Sequence, residues 1–157
     1  MNKRQRAILI KFAAVTLFTV IAIVAMIHLR DYINRQEAEV AMTELGNRIK
    51  QYRAEHGSVP PESYVTSIKE SLPGHVRLGD LRYRGLWIDF ESTPDEILAY
   101  TEKKSYSLIF RDKFLVLRMK EVLTPDRDVK VEWMDKHKFE ALLAQQQSSL
   151  EIELLRK

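Results

Sequence analysis

From Ala7 to Leu29 the chain is apolar apart from Lys11, His28 and the hydroxyls of Thr16 and Thr19, and no proline interrupts it. At about 1.5 Å per residue these 23 residues reach about 34 Å, against a hydrocarbon core of about 30 Å, so the run predicts a membrane-spanning helix. Two other readings compete, a buried core helix and a cleaved signal peptide. The apolar part of a signal peptide is about 7–15 residues long and ends at small residues. Here Phe12 to Ile27 alone supplies 16 apolar or threonine residues, and the exit Met26-Ile27-His28-Leu29-Arg30 offers no such site. Lys11, one turn into the run, is placed to snorkel to the interface.

Beyond Leu29 the pattern changes without a break. Ala38, Met42, Leu45, Ile49 and Tyr52 recur at spacings of 4, 3, 4 and 3, which predicts a soluble helix with one narrow apolar stripe. Asp31/Arg35 and Glu44/Arg48, each four residues apart, suit its solvated flanks. Gly46 is a weak spot, since a mid-helix glycine costs about 1 kcal/mol against alanine. Gly57 offers a left-handed cap, and Pro60-Pro61 forbid continuation. A helix from Ala7 to His56 would measure about 75 Å and project well beyond the headgroups. The stripe spans barely two heptads, so packing on the protein's own domain is preferred to a coiled coil.

The remainder predicts a short helix over Glu62–Leu72, stopped by Pro73-Gly74, then strands. Strand candidates are Leu81–Tyr83, Leu86–Phe90, Ile97–Tyr100, Tyr106–Phe110, Phe114–Met119 and Val129–Met134, with a hairpin at Arg111-Asp112-Lys113. Asp135 is a candidate N-cap for a last helix whose inner face is Phe139, Leu142, Leu143 and Leu150. The expected organisation is therefore a basic cytoplasmic leader (1–6), a transmembrane helix (7–29), an amphipathic continuation (30–57), a small α+β domain (58–147) and a frayed tail (148–157).

Charge orients the anchor. Lys3, Arg4, Arg6 and Lys11 precede the apolar core with no acid among them, whereas Arg30 and Arg35 follow it mixed with Asp31, Glu37 and Glu39. The excess of Lys and Arg on the N-terminal side predicts a single-pass inner-membrane protein with its N-terminus in the cytoplasm and residues 30–157 outside. The chain carries +3 and residues 1–11 carry +4, so the rest sums to −1. The basic character is thus concentrated beside the lipid bilayer, and no nucleic-acid-binding motif appears.

Chemistry is sparse. The chain has no cysteine, hence no disulfide, thiol nucleophile or zinc-finger spacing. His28, His56, His75 and His137 stand alone, and no HExxH, GxSxG, Walker or GxGxxG pattern occurs. No enzyme and no cofactor is expected. Asp126 and Asp128 are weak calcium candidates, because Arg127 and Lys130 oppose a dication and calcium asks for six to eight oxygen ligands. Asp89 and Glu91 flank Phe90 on the outward side of a strand. Trp87, Trp133, Tyr83, Tyr100 and Tyr106 form either a sugar- or peptide-binding platform or, as strand aromatics more often do, core. Within the anchor, Thr19, Ala22 and Ala25 recur every three residues and are the small positions through which a partner helix could approach.

The apolar-then-amphipathic helix, the stretch QYRAEHGSVPPE at 51–62 and the small sheet together resemble the type IV pilin superfamily, most of all the G-type pseudopilins of type II secretion. Tyr52, Arg53, Gly57 and Pro60 match the turn that ends the long helix in that family, and Val131, Glu132, Trp133, Met134, Phe139 and Leu142 match an ending similar to planctomycete-type pilin-like proteins. The loop holding Asp126 and Asp128 resembles in position the calcium loop of G-type pseudopilins. The resemblance implies a long helix packed on an antiparallel sheet and protein partners in a secretion or pilus-like assembly. The chain departs from the family at its start: no glycine precedes Gly46, no acid precedes Asp31, and Lys11 stands where a pilin carries glutamate. The implied function is a non-catalytic structural or assembly component that kept the fold as a static anchor. Its interaction residues would be Thr19, Ala22 and Ala25 in the membrane and Met42, Leu45, Ile49 and Tyr52 beyond it. The alternative is a bitopic membrane protein whose exported domain binds a ligand or partner protein.

Overall fold

A computed structural model describes residues 2–74, 78–88, 93–102, 113–124, 128–147 and 151. The architecture is α+β. Helix α1 (Lys3–His56) runs unbroken for 54 residues, about 81 Å, and ends at Gly57, whose φ of 76° provides the left-handed cap. Helix α2 (Glu62–Lys69) follows Pro61. The described strands β1 (Arg82–Tyr83), β2 (Ile97–Glu102), β3 (Lys113–Arg118) and β4 (Val131–Asp135) form one antiparallel sheet in the order β1-β2-β3-β4. Helix α3 (Met119–Leu123) links β3 to β4, and α4 (Lys136–Gln146) follows β4 directly.

The sheet lies between two helices, which accounts for the continuous apolar run of β3. Leu115 and Leu117 face α1, where they join Ala38, Ala41, Met42, Leu45 and Ile49 in the main core. Alternate residues turn the other way. Val116 packs with Ile97, Met134 and Phe139 of α4, and the Phe114 ring stacks on Phe139 at 4.0 Å. The main core therefore draws on residues on both sides of the expected 57/58 boundary, and the second half of α1 belongs physically to the domain.

Several expectations need correction. Leu86 and Trp87 form a turn closed by the Trp87 N–H donating to the Arg84 carbonyl (2.9 Å), where a strand over Leu86–Phe90 was expected. Helix α3 was not anticipated; Met119 and Val122 are buried on it, so an apolar run that looked like strand and loop turns into helix once β3 ends. Asp135 occupies the N-cap position of α4 but makes no capping bond, and its carboxylate sits 3.4 Å from Lys113 Nζ. The tail is not wholly loose, since Glu151 is buried. The expected strand Tyr106–Phe110, the turn residues Arg111 and Asp112, and Leu150 lie outside the described residues.

Gly46 is a contact rather than a flaw. A β-carbon there would stand 2.5 Å from Val129 Cγ1 and 3.2 Å from Leu117 Cδ1, so the glycine lets α1 approach β3 and the segment leading into β4. Gly46→Ala should lower the melting temperature of the full chain in detergent. The helix-propensity gain of about 1 kcal/mol is opposed by overpacking of about 1–3 kcal/mol. An unchanged or higher melting point would show that the sheet yields at this contact. Leu45, fully buried on the same face, should lose about 2–5 kcal/mol of stability when cut to alanine, read by denaturant unfolding of the same preparation.

Candidate functional site

The first half of α1 touches nothing else in the described structure. Side chains from Ile8 to Met26 stand exposed, and this is one helix long and apolar enough to cross a membrane. Its hydroxyls are satisfied locally, Thr16 Oγ1 donating to the Phe12 carbonyl and Thr19 Oγ1 to the Val15 carbonyl, both at 2.9 Å. Thr19 therefore needs no partner helix to satisfy it. Thr19, Ala22 and Ala25 are all exposed, but three residues turn a helix by about 300°, so Thr19 and Ala25 stand about 120° apart with Ala22 between them.

The second interaction set has another role. Met42, Leu45 and Ile49 are fully buried under the sheet, so they hold the domain to its own helix and are not a surface for another chain. Tyr52 is half-buried at the end of that stripe, stacked on His56 at 4.1 Å and tilted against Tyr64 at 4.7 Å. At the membrane-proximal end, Trp133 Nε1 donates to the Glu39 carboxylate, Arg35 Nε donates to the same group at 3.2 Å, and the Arg35 guanidinium lies 5.9 Å from the centre of the Trp133 ring. This collar fastens β4 to α1 just where the domain begins.

A buried polar cluster with no signature in the sequence gathers around Arg84. Arg84, only 3% exposed, forms a two-pronged pair with Glu151, only 1% exposed: Nε to Oε1 at 2.7 Å and Nη2 to Oε2 at 2.9 Å. Arg84 Nη1 also donates to the Ile97 carbonyl (2.9 Å) and Nη2 to the Gln146 carbonyl (3.1 Å), while the Ile97 N–H donates to Gln146 Oε1 (2.9 Å). The cluster joins the end of β1, the start of β2, the end of α4 and the segment beyond it. Sixty-seven residues separate Arg84 from Glu151, so no local spacing could have signalled the pair.

No catalytic constellation assembles among the described residues. Burial, and secondarily Tyr52, pushes the Tyr83 hydroxyl above the usual tyrosine range, so it stays protonated and donates to the Pro60 carbonyl at 2.8 Å. Burial also raises Tyr100. His28 and His137 are exposed, His56 caps the Tyr52 ring, and His75 lies outside the described residues. No group of three or more His, Asp or Glu side chains is placed to hold a metal among the described residues; Asp128 is exposed, and Asp126, Asp89 and Glu91 lie outside them. The aromatics do not form a platform: Tyr83 and Trp133 pack toward α1, Tyr100 lies on the opposite face against Phe139 at 4.8 Å, and Tyr106 falls outside the described residues.

No family model matches the chain, and no curated protein or solved structure matches it.

The Arg84 cluster generates a stability test. Arg84→Met strands a buried carboxylate and should cost about 3–5 kcal/mol, whereas Arg84→Met with Glu151→Leu removes both charges and should recover most of the loss, as buried pairs do elsewhere. Denaturant unfolding of the full chain in detergent reads both. A double variant as unstable as the single one would mean that the bonds to Ile97 and Gln146, rather than the charge pair, hold this corner together.

Proposed function

We propose that this protein is a membrane-anchored, pilin- or pseudopilin-like structural or assembly component of a secretion or surface-filament system, without catalytic activity. The observation that carries the reading is the continuity of α1: one helix whose first half is exposed and apolar and whose second half is the central strut of the domain core. The turn that ends it supports the resemblance. Arg53 accepts the Gly57 N–H through its carbonyl at 2.8 Å, and the Pro60 carbonyl accepts the Tyr83 hydroxyl, so the matched positions build the junction between helix and sheet. The charges support an inner-membrane placement with the N-terminus in the cytoplasm and the domain outside: Lys3, Arg4, Arg6 and Lys11 precede the first acid, Asp31. Its partners are the bilayer and proteins of the assembly. Lys11, in the part of the apolar helix where a pilin carries glutamate, favours the part of a static anchor over that of a major filament subunit.

Because the chain is free of cysteine, single thiols report topology cleanly. Ser58→Cys should label with a membrane-impermeant maleimide on intact cells, and Asn2→Cys only after permeabilisation. Intact-mass measurement of the membrane-extracted protein should find the uncut chain. A mature form beginning between residues 7 and 13 would show that a processing enzyme accepts this leader, and labelling of Asn2→Cys from outside would reverse the orientation.

A further inference from the structure

Helix α1 has a second face. With Ala38 and Leu45 turned into the core, the opposite side of the helix carries Leu29, Ile33, Gln36, Val40, Thr43 and Asn47, at spacings of 4, 3, 4, 3 and 4. That is the first-and-fourth-position rhythm of a coiled coil, and Met26 and Ala22 continue it back into the apolar run. None of these positions is charged, although eight charged residues lie from Arg30 to Lys50. All eight fall off this seam. Among described residues beyond Leu29, the large apolar side chains left exposed are Tyr32, Ile33, Val40 and Leu86; Ile33 and Val40 are on the seam and Tyr32 flanks it. Burying them against lipid is not open to the whole set, since Val40 lies about 16 Å along the helix beyond Leu29.

We infer that this seam is an interface with a second copy of the same chain, forming a parallel two-stranded coiled coil that starts inside the bilayer and ends near Asn47. The inference rests on the membrane-anchored reading. A shared bilayer orients every copy alike and sets their helices at one depth, so equal seam residues meet without a search for register. Confinement supplies the effective concentration that three heptads with Gln36, Thr43 and Asn47 among their contact positions would lack in solution. The core positions of the domain point away from the seam, and Pro73 and Val131 border a shallow trough along Gln36, Val40 and Asn47 whose flanks carry Glu39 and Glu44, paired on the same helix with Arg35 and Arg48 respectively. Asn47 falls at a first position, where a buried asparagine favours two strands in fixed register over other arrangements. An isologous pair of this kind closes on itself and leaves the sheet of each copy facing outward.

The test uses the full chain in native membranes. Val40→Cys and Ile33→Cys should form disulfide-linked dimers under mild oxidation, whereas Asp31→Cys, at nearly the same depth on the opposite side of the helix, should not. In the same membranes, Val40→Lys added to Ile33→Cys should suppress the disulfide-linked dimer, and in detergent Val40→Lys should leave the domain's melting temperature unchanged, because Val40 is outside the core. Equal crosslinking at Asp31→Cys and Val40→Cys, or no crosslink at either seam position in native membranes, overturns the interface. Fractionation separates the two levels of failure: a monomer that stays with the membrane pellet overturns the seam alone, and a chain recovered in the soluble fraction overturns the anchor and the interface that depends on it.

Discussion

Everything in this protein hangs on the packing of one sheet against the second half of an uninterrupted helix. Ala38, Ala41, Met42, Leu45 and Ile49 give the helix its apolar face against β3, and Gly46 removes the one side chain that would hold Leu117 and Val129 away. Because the same helix carries the exposed apolar half, the packing that folds the domain also fixes its distance and rotation relative to that half. A domain joined by a flexible linker would have neither property.

The rest of the fold secures this arrangement from its ends. At the membrane-proximal end the Arg35–Glu39–Trp133 collar ties β4 to α1; at the far end Tyr52, His56 and Tyr64 pack together and Tyr83 bonds the turn after Gly57. Across the sheet, α4 covers the second face with Phe139, and the buried Arg84–Glu151 pair fastens the segment beyond α4 back to the start of β2. Without disulfides, a domain of this size holds its corners with such polar clusters as well as with its core.

Periodic features were legible in the sequence. The apolar run, the stripe from Ala38 to Ile49, the Gly57 stop and three of the longer strands arise from spacing and turn chemistry alone, because each is dictated by neighbours along the chain. Features set by distant contacts were not. Gly46 reads as a defect until Val129 and Leu117 are placed over it; Leu86 and Trp87 have strand composition yet turn, because β1 pairs with β2 for only two residues and the chain must then leave the sheet. Arg84 and Glu151 have no spacing to betray them. The uncharged face from Leu29 to Asn47 was present in the sequence throughout, but it is masked there by the stronger stripe beside it and emerges only when that stripe is seen to be filled.

The central claim is that α1 is continuous and rigid across the point where the exposed half meets the domain. Spin labels at Ile23→Cys and Gln51→Cys, one on each side of that point, lie 28 residues apart, and a straight helix sets their separation at about 42 Å. Pulsed electron-spin distance measurement on labelled protein in lipid nanodiscs, diluted with unlabelled chain, should give one narrow distribution near that value. A broad distribution, or one centred well below it, would mean that the helix bends or melts between the two halves, and the domain would then be tethered to its anchor rather than built upon it.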